Sequence, residues 1–170
     1  MLHLPTRKLD VVLDPGQFHF GQADLRIGTL LGSCVAITMW HPIRKIGGMC
    51  HYLLPSRNRD VDSSEPLDGR YGDEAVEMFM QEIQRANTFP EDYEAKIFGG
   101  GNQFGHSSWS RSIDVPSRNI AAGMDLLQSC GLDVRARHVG GSGPRNVILD
   151  LASGHVWVRH RRTPTDEATR

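Results

Sequence analysis

The sequence predicts one α/β domain with two main helices and sheets of mixed or antiparallel type. Three observations lead there. Short segments rich in branched apolar residues recur between turn residues, several of them close enough to pair as hairpins, whereas two longer segments repeat apolar residues at helical spacing. The resulting order of strands, helix, strand, helix and strands does not suit a doubly wound parallel sheet. The length of 170 residues fits one ordinary domain, read here as residues 1–160 with 161–170 as a polar tail.

Val11 to Leu13 reads as a short strand closed by Asp14-Pro15-Gly16. From Ile27 to Trp40 the chain is apolar and branched, interrupted only by Gly28, Gly32 and Ser33, and Ser33 to Trp40 reads as a strand. His41-Pro42-Ile43-Arg44 has turn character, with Pro42 suited to the first central position, and Ile46 to Leu54 returns as a second strand. The segment from Ser56 to Arg70 carries too little apolar surface to pack and reads as an exposed loop. Asp73 is a candidate cap for a helix beginning at Glu74, with Ala75, Met78, Phe79, Ile83 and Ala86 on its apolar face. Ala95 to Phe98 reads as a strand running into Gly99-Gly100-Gly101. A second helix is expected from about Ile120, capped by Ser117 or Asn119, striped by Ile120, Met124 and Leu127, and stopped by Gly131. Leu132, Val134, Ala136 and His138 alternate as a half-buried strand, and Val147 to Leu151 with Val156 to Val158 form a last hairpin.

Composition narrows the function classes. No apolar run approaches the roughly 20 residues that span a bilayer, and the opening MLHLPTRKLD lacks the apolar core of a secretory signal. A cytoplasmic protein with no direct membrane insertion is expected. Nineteen basic and twenty acidic side chains leave a net charge of -1, and the run Arg159-His160-Arg161-Arg162 reads as a solvated terminus, so no nucleic-acid partner is expected. Cys34, Cys50 and Cys130 are odd in number and form no CxxC, which argues against a disulfide scaffold and for a reducing compartment. No second ligand pair joins Cys50 and His51 at tetrahedral spacing, so neither a metal nor an organic cofactor is expected. FGGGNQFG and VGGSGP complete neither GxGxxG nor GxxxxGK[ST]; they read as tight turns at strand ends that rim a shared cleft.

The chemistry centres on Cys34. Strand alternation sets Val35, Ile37 and Met39 on one face and Cys34, Ala36, Thr38 and Trp40 on the other. If His41 pairs with Arg44, Cys34 lies directly opposite His51; a loop one residue longer removes His51 from that position. A thiolate is a strong nucleophile, and a neighbouring imidazolium lowers the cysteine pKa and protonates a leaving nitrogen, as amide cleavage requires. Amides beside Gly32-Ser33-Cys34 are candidates to stabilise the oxyanion. The bland alternative is that Cys34 is a small core hydrophobe, as Cys50 and Cys130 are expected to be.

Several blocks together are specific. Leu31-Gly32-Ser33-Cys34-Val35-Ala36, with a histidine 17 residues after the cysteine inside Gly47-Gly48-Met49-Cys50-His51-Tyr52-Leu53-Leu54-Pro55, and then Arg70-Tyr71-Gly72-Asp73, resemble the signature blocks of the chemoreceptor glutamine deamidase family, CheD. Pro15-Gly16-Gln17, Phe98-Gly99-Gly100, Arg118-Asn119, Val139-Gly140-Gly141 and Val156-Trp157-Val158-Arg159 follow the same order, so the resemblance spans roughly residues 10 to 160. It implies an α/β/β layered fold and hydrolysis of selected glutamine side chains in methyl-accepting chemotaxis receptors, without cofactor or metal. It also implies Cys34 as nucleophile and His51 as its partner. The family's third catalytic residue, a threonine shortly before the cysteine, corresponds to Thr29, five residues ahead of Cys34; Gly28 stands six ahead. Regular alternation sets Thr29 and Cys34 on opposite faces, so a bulge is required to bring Thr29 to the site. The same resemblance implies a CheC-type phosphatase as a further partner, with a catalytically silent docking module as the alternative to an enzyme.

Overall fold

The computed structural model describes residues 8–22, 24–103 and 114–162; of the expected tail, residues 163–170 lie outside it. Among the described residues nine strands form two sheets. One has four strands in the order β1 (Val11–Leu13), β3 (Arg26–Leu31), β8 (Arg145–Asp150) and β9 (Val156–His160). The other has five, in the order β2 (Phe18–Gln22), β5 (Ile46–Tyr52), β4 (Val35–His41), β6 (Glu94–Gly99) and β7 (Val134–Val139). The β1–β3 and β6–β7 pairs are parallel and the rest antiparallel, so both sheets are mixed.

Two apolar layers hold these parts together, giving the α/β/β sandwich. Helices α1 (Gly72–Arg85) and α2 (Val115–Ser129) cover one face of the five-stranded sheet, where Phe79, Ile83 and Leu127 pack on Ile37, Met39, Cys50 and Ile97. The other face meets the four-stranded sheet through Ala36, Met49 and Phe98 against Ile27, Leu31, Val147 and Leu149. Each such buried aliphatic side chain contributes roughly 1.5–3 kcal/mol of transfer free energy. Sandwiching explains why β4 and β5 are buried at every position and are apolar on both faces, with Thr38, His41 and His51 as their polar side chains.

The hairpin and the expected strands at residues 11–13, 95–98 and 147–158 stand within a few positions of their anticipated ends. Other elements differ, each for a local reason. The stretch from Ile27 to Trp40 is two strands in two different sheets, because the chain leaves β3 at Leu31 and enters β4 at Val35. Strand β2 escaped notice because His19, Gly21 and Gln22 dilute the Phe18 and Phe20 alternation. In the β4–β5 hairpin His41 pairs with Ile46, not Arg44, leaving a loop of residues 42–45. It closes through the Lys45 N–H donating to the His41 carbonyl at 2.9 Å, with Lys45 at φ 54°. Helix α1 begins at Gly72 after Tyr71, with no side-chain cap, so Asp73 lies inside its first turn. Helix α2 begins at Val115; its cap is Asp114, whose carboxylate accepts the Ser117 N–H, so neither Ser117 nor Asn119 is the cap. Strand β7 is a sheet edge with Ala136 and His138 exposed, not half-buried. The loop before α1 is exposed as expected but fastened by Arg57, which pairs with the buried Glu74 at 2.7 Å.

Candidate active site

Thr29 and His51 touch across the two sheets, and Cys34 packs on the apolar layer between those sheets. Thr29 is on β3, His51 on β5, and Cys34 in the turn where the chain crosses between the sheets. His51 is opposed by Ala36, so Cys34 is its diagonal neighbour and not its direct partner. The expected register is therefore displaced by two positions. An even displacement preserves sheet face: Cys34 and Ala36 both pack on the inter-sheet cluster, as does Met49, which shares its parity with His51. Diagonal neighbours stand roughly 7–8 Å apart, within reach of a long side chain.

Thr29 reaches His51 without any bulge, since the strand-parity objection assumed one strand where there are two. The Thr29 hydroxyl lies 2.8 Å from His51 Nδ1 and donates to the Leu13 carbonyl at 2.8 Å. A hydroxyl has one proton, and the Leu13 carbonyl takes it. Nδ1 must then be the protonated nitrogen, donating to Thr29, and Nε2 bears the lone pair. That Nε2 is buried and, among the described residues, finds no hydrogen-bond partner. The backbone of His51 is equally held, its N–H on the Gln17 carbonyl at 3.0 Å and its carbonyl accepting from Gly16 at 2.7 Å.

The Cys34 turn is clasped by glycines. Gly100 N–H donates to the Cys34 carbonyl at 2.8 Å and Gly101 N–H to the Gly32 carbonyl at 2.9 Å. Gly99 adopts φ 107°, and a Cβ there would lie 2.3 Å from the Cys34 carbonyl oxygen, so only glycine fits. The fully buried Asn119 donates from Nδ2 to the Leu53 carbonyl at 2.7 Å and to the Ser33 carbonyl at 3.4 Å, tying α2 to the segments beside both His51 and Cys34. Sequence reasoning took Asn119 for a helix cap; its place in the Arg118-Asn119 block was the available signal.

Burial sets the protonation states. It pulls His51 down to about 4, against a smaller opposing pull from the Asp14 charge, and it raises the Cys34 thiol, partly offset by a hydrogen bond with the Ser33 side chain. The resting pair at neutral pH is therefore a thiol and a neutral imidazole, not the thiolate and imidazolium that the residue types suggested. Cys50, by contrast, faces the helices with its thiol pushed up to about 12. Cys130 caps the C-terminal end of α2.

The His51 shift makes stability depend on pH. Between its ordinary value of 6.5 and about 4, the unfolded chain takes up a proton that the folded chain refuses. The contribution is fully present above pH 6.5 and is lost as pH falls toward 4. Urea unfolding should show the native protein losing about 2 kcal/mol more than His51→Gln between pH 7 and pH 5. Parallel losses in the two proteins would mean that His51 is not held neutral.

Among the described residues no helix is long and apolar enough to cross a membrane, and no three His, Cys, Asp or Glu side chains gather to hold a metal. The CheD chemotactic sensory transduction family matches residues 53–160. A protein of Dechloromonas aromatica named "Probable chemoreceptor glutamine deamidase CheD 3" is 47% identical, covering 91% of this chain and 89% of that one. A protein of Pseudomonas savastanoi named "Probable chemoreceptor glutamine deamidase CheD" is 44% identical over 94% and 89%. A Leptospira interrogans protein named "Probable chemoreceptor glutamine deamidase CheD 1" is 32% identical over 93% and 96%. The family match begins after His51, whereas coverage of 94% of this chain leaves Thr29, Cys34 and His51 inside the compared stretch.

Proposed function

The chain belongs to the CheD chemotactic sensory transduction family, and from that membership we propose that it deamidates glutamine side chains of chemoreceptors, with Cys34 as nucleophile, His51 as proton carrier and Thr29 as the group that orients His51. The observation that carries this reading is the Thr29–His51 contact, which fixes the imidazole tautomer with a buried, unpartnered Nε2 lone pair on the sheet face shared with Cys34.

The chemistry follows from the resting protonation states. Cys34 Sγ attacks the glutamine Cδ as its proton passes to His51 Nε2, so nucleophile formation and attack are coupled. The carbonyl π electrons move onto oxygen, and backbone N–H groups of the Gly32-Ser33-Cys34 turn stabilise the oxyanion. The tetrahedral adduct collapses with cleavage of the C–N bond, and His51 returns the proton to the departing nitrogen, which leaves as ammonia. Water then attacks the thioester, with Nε2 again taking a proton, and glutamate and the free thiol are released. A neutral side chain on the receptor becomes an anion. Thr29 keeps Nδ1 protonated, so Nε2 is available at both stages.

A glutamine projecting from a receptor helix would draw its binding energy from the surface around Cys34. The cytoplasmic portion of a receptor and a CheC-type phosphatase are the partners in this reading. Incubation with a cognate receptor fragment should raise the fragment's mass by about 1 Da per converted glutamine, a neutral amide becoming an acid, with one ammonia released for each. Free glutamine should give little ammonia. An unchanged receptor mass alongside tight binding of the phosphatase would favour the silent docking module.

A further inference from the structure

On the far side of the Gly99–Gly101 turn from Cys34 lies a cavity of about 370 Å³ whose charged lining is entirely basic. Arg137 and His138 enter it from β7, Arg145 from β8, His160 from β9 and Arg162 from just beyond. Among the described residues no Asp or Glu lines it. The run at residues 159–162, read from sequence as a solvated terminus, thus contributes two of its members to a cavity.

Arg145 is the most deeply buried of these basic groups. It is only 1% exposed, and among the described residues no carboxylate pairs with it. Its Nε donates to His138 Nδ1 at 2.9 Å, Nη2 donates to the Gly140 carbonyl, and Nη1 finds no partner. A buried guanidinium without a counter-charge is among the most unfavourable arrangements a fold can hold. The imidazoles are arranged by the same contacts. His138 accepts at Nδ1, which leaves the proton on Nε2, and His160 Nε2 donates to the Ser142 carbonyl at 2.7 Å. Burial, followed by the electrostatic influence of Arg145, His160 and Arg162, holds His138 below its ordinary value.

We propose that this cavity is a binding site for a doubly charged oxyanion, a phosphate group carried free or as a small phosphate ester. Three guanidinium groups and no acid leave a surplus that one carboxylate would not cancel, whereas a phosphate carries about -1.5 to -2 near neutral pH and three strong acceptor oxygens. The volume lies at the small end of the roughly 300–1,000 Å³ typical of ligand pockets, which suits a phosphate with a short substituent. The site is separate from the Cys34 chemistry and does not depend on the deamidase reading.

Thermal unfolding of the full chain is measured against inorganic phosphate, O-phosphoserine and acetate, each at ionic strength matched with chloride. Phosphate and O-phosphoserine should give saturable stabilisation, the ester the stronger if the natural ligand is an ester. Arg137→Gln with Arg162→Gln, both surface positions, should weaken the apparent phosphate affinity at least tenfold while leaving the phosphate-free transition in place. The His138 and His160 ring resonances should shift with the same saturation curve. Phosphate curves that coincide with chloride, acetate matching phosphate, or an unchanged affinity in the double variant would each overturn the assignment.

Discussion

Cys34→Ala should lower ammonia release from receptor by at least about a thousandfold, the scale on which removing a covalent nucleophile acts, while Cys50→Ala and Cys130→Ala keep most of it. The three thiols differ in surroundings and not in chemistry. Cys50 is fully buried toward the helices, with its ionisation pushed up to about 12, and no substrate reaches it there. Cys130 ends α2, away from His51. Cys34, half-buried like Cys130, stands instead in a turn whose carbonyls are held by Gly100 and Gly101. Its replacement removes little buried surface, so the unfolding midpoint should barely move, separating loss of chemistry from loss of fold. Equal losses in all three variants, each still folded, would refute the assignment of Cys34.

His51→Gln should match that loss, because glutamine fills similar space but neither takes nor returns a proton. Thr29→Val should be milder alone, about tenfold to a hundredfold in kcat with KM little changed, as expected of a partner that orients a catalytic histidine. Valine also strands the Leu13 carbonyl and His51 Nδ1, at a cost of about 1–3 kcal/mol for each group left unsatisfied. Thr29→Ser retains the hydroxyl and should recover most of the rate. In the His51→Gln background Thr29→Val should add almost nothing, since the two act as one unit. A full additional loss in the double variant would mean that Thr29 works through something other than His51.

Much of the layout was legible from residue alternation, and the largest failures arise where the chain changes layer. Period-two patterning put Cys34 and His51 on one sheet face, and that survived a wrong register because the true pairing differs by two positions. What alternation cannot reveal is a change of sheet. Residues 27–40 look like one apolar run, yet Gly32-Ser33 carry the chain from the outer sheet to the middle one, and that crossing brings Thr29 over His51. The charge state was hidden for a similar reason: residue types suggest an ion pair, but the burial that keeps His51 neutral comes from layers contributed by distant strands. The start of α2 was missed because Asp114 and Pro116 precede any apolar stripe, although an acidic cap followed by proline in the first turn is itself a helix-start signal.

The Thr29–His51 hydrogen bond joins a residue of one sheet to a residue of the other. The two apolar layers are therefore unequal in what they govern. Packing beneath the helices, around Phe79 and Leu127, sets how firmly the chain stays folded. Packing between the sheets, around Met49, Phe98 and Val147, also sets the separation across which the imidazole is aimed. Under the proposed chemistry, a methyl group gained or lost in that second layer should change catalytic alignment as much as stability. Under that chemistry a substitution there should reach kcat as well as the unfolding midpoint, even at a position that never touches a substrate.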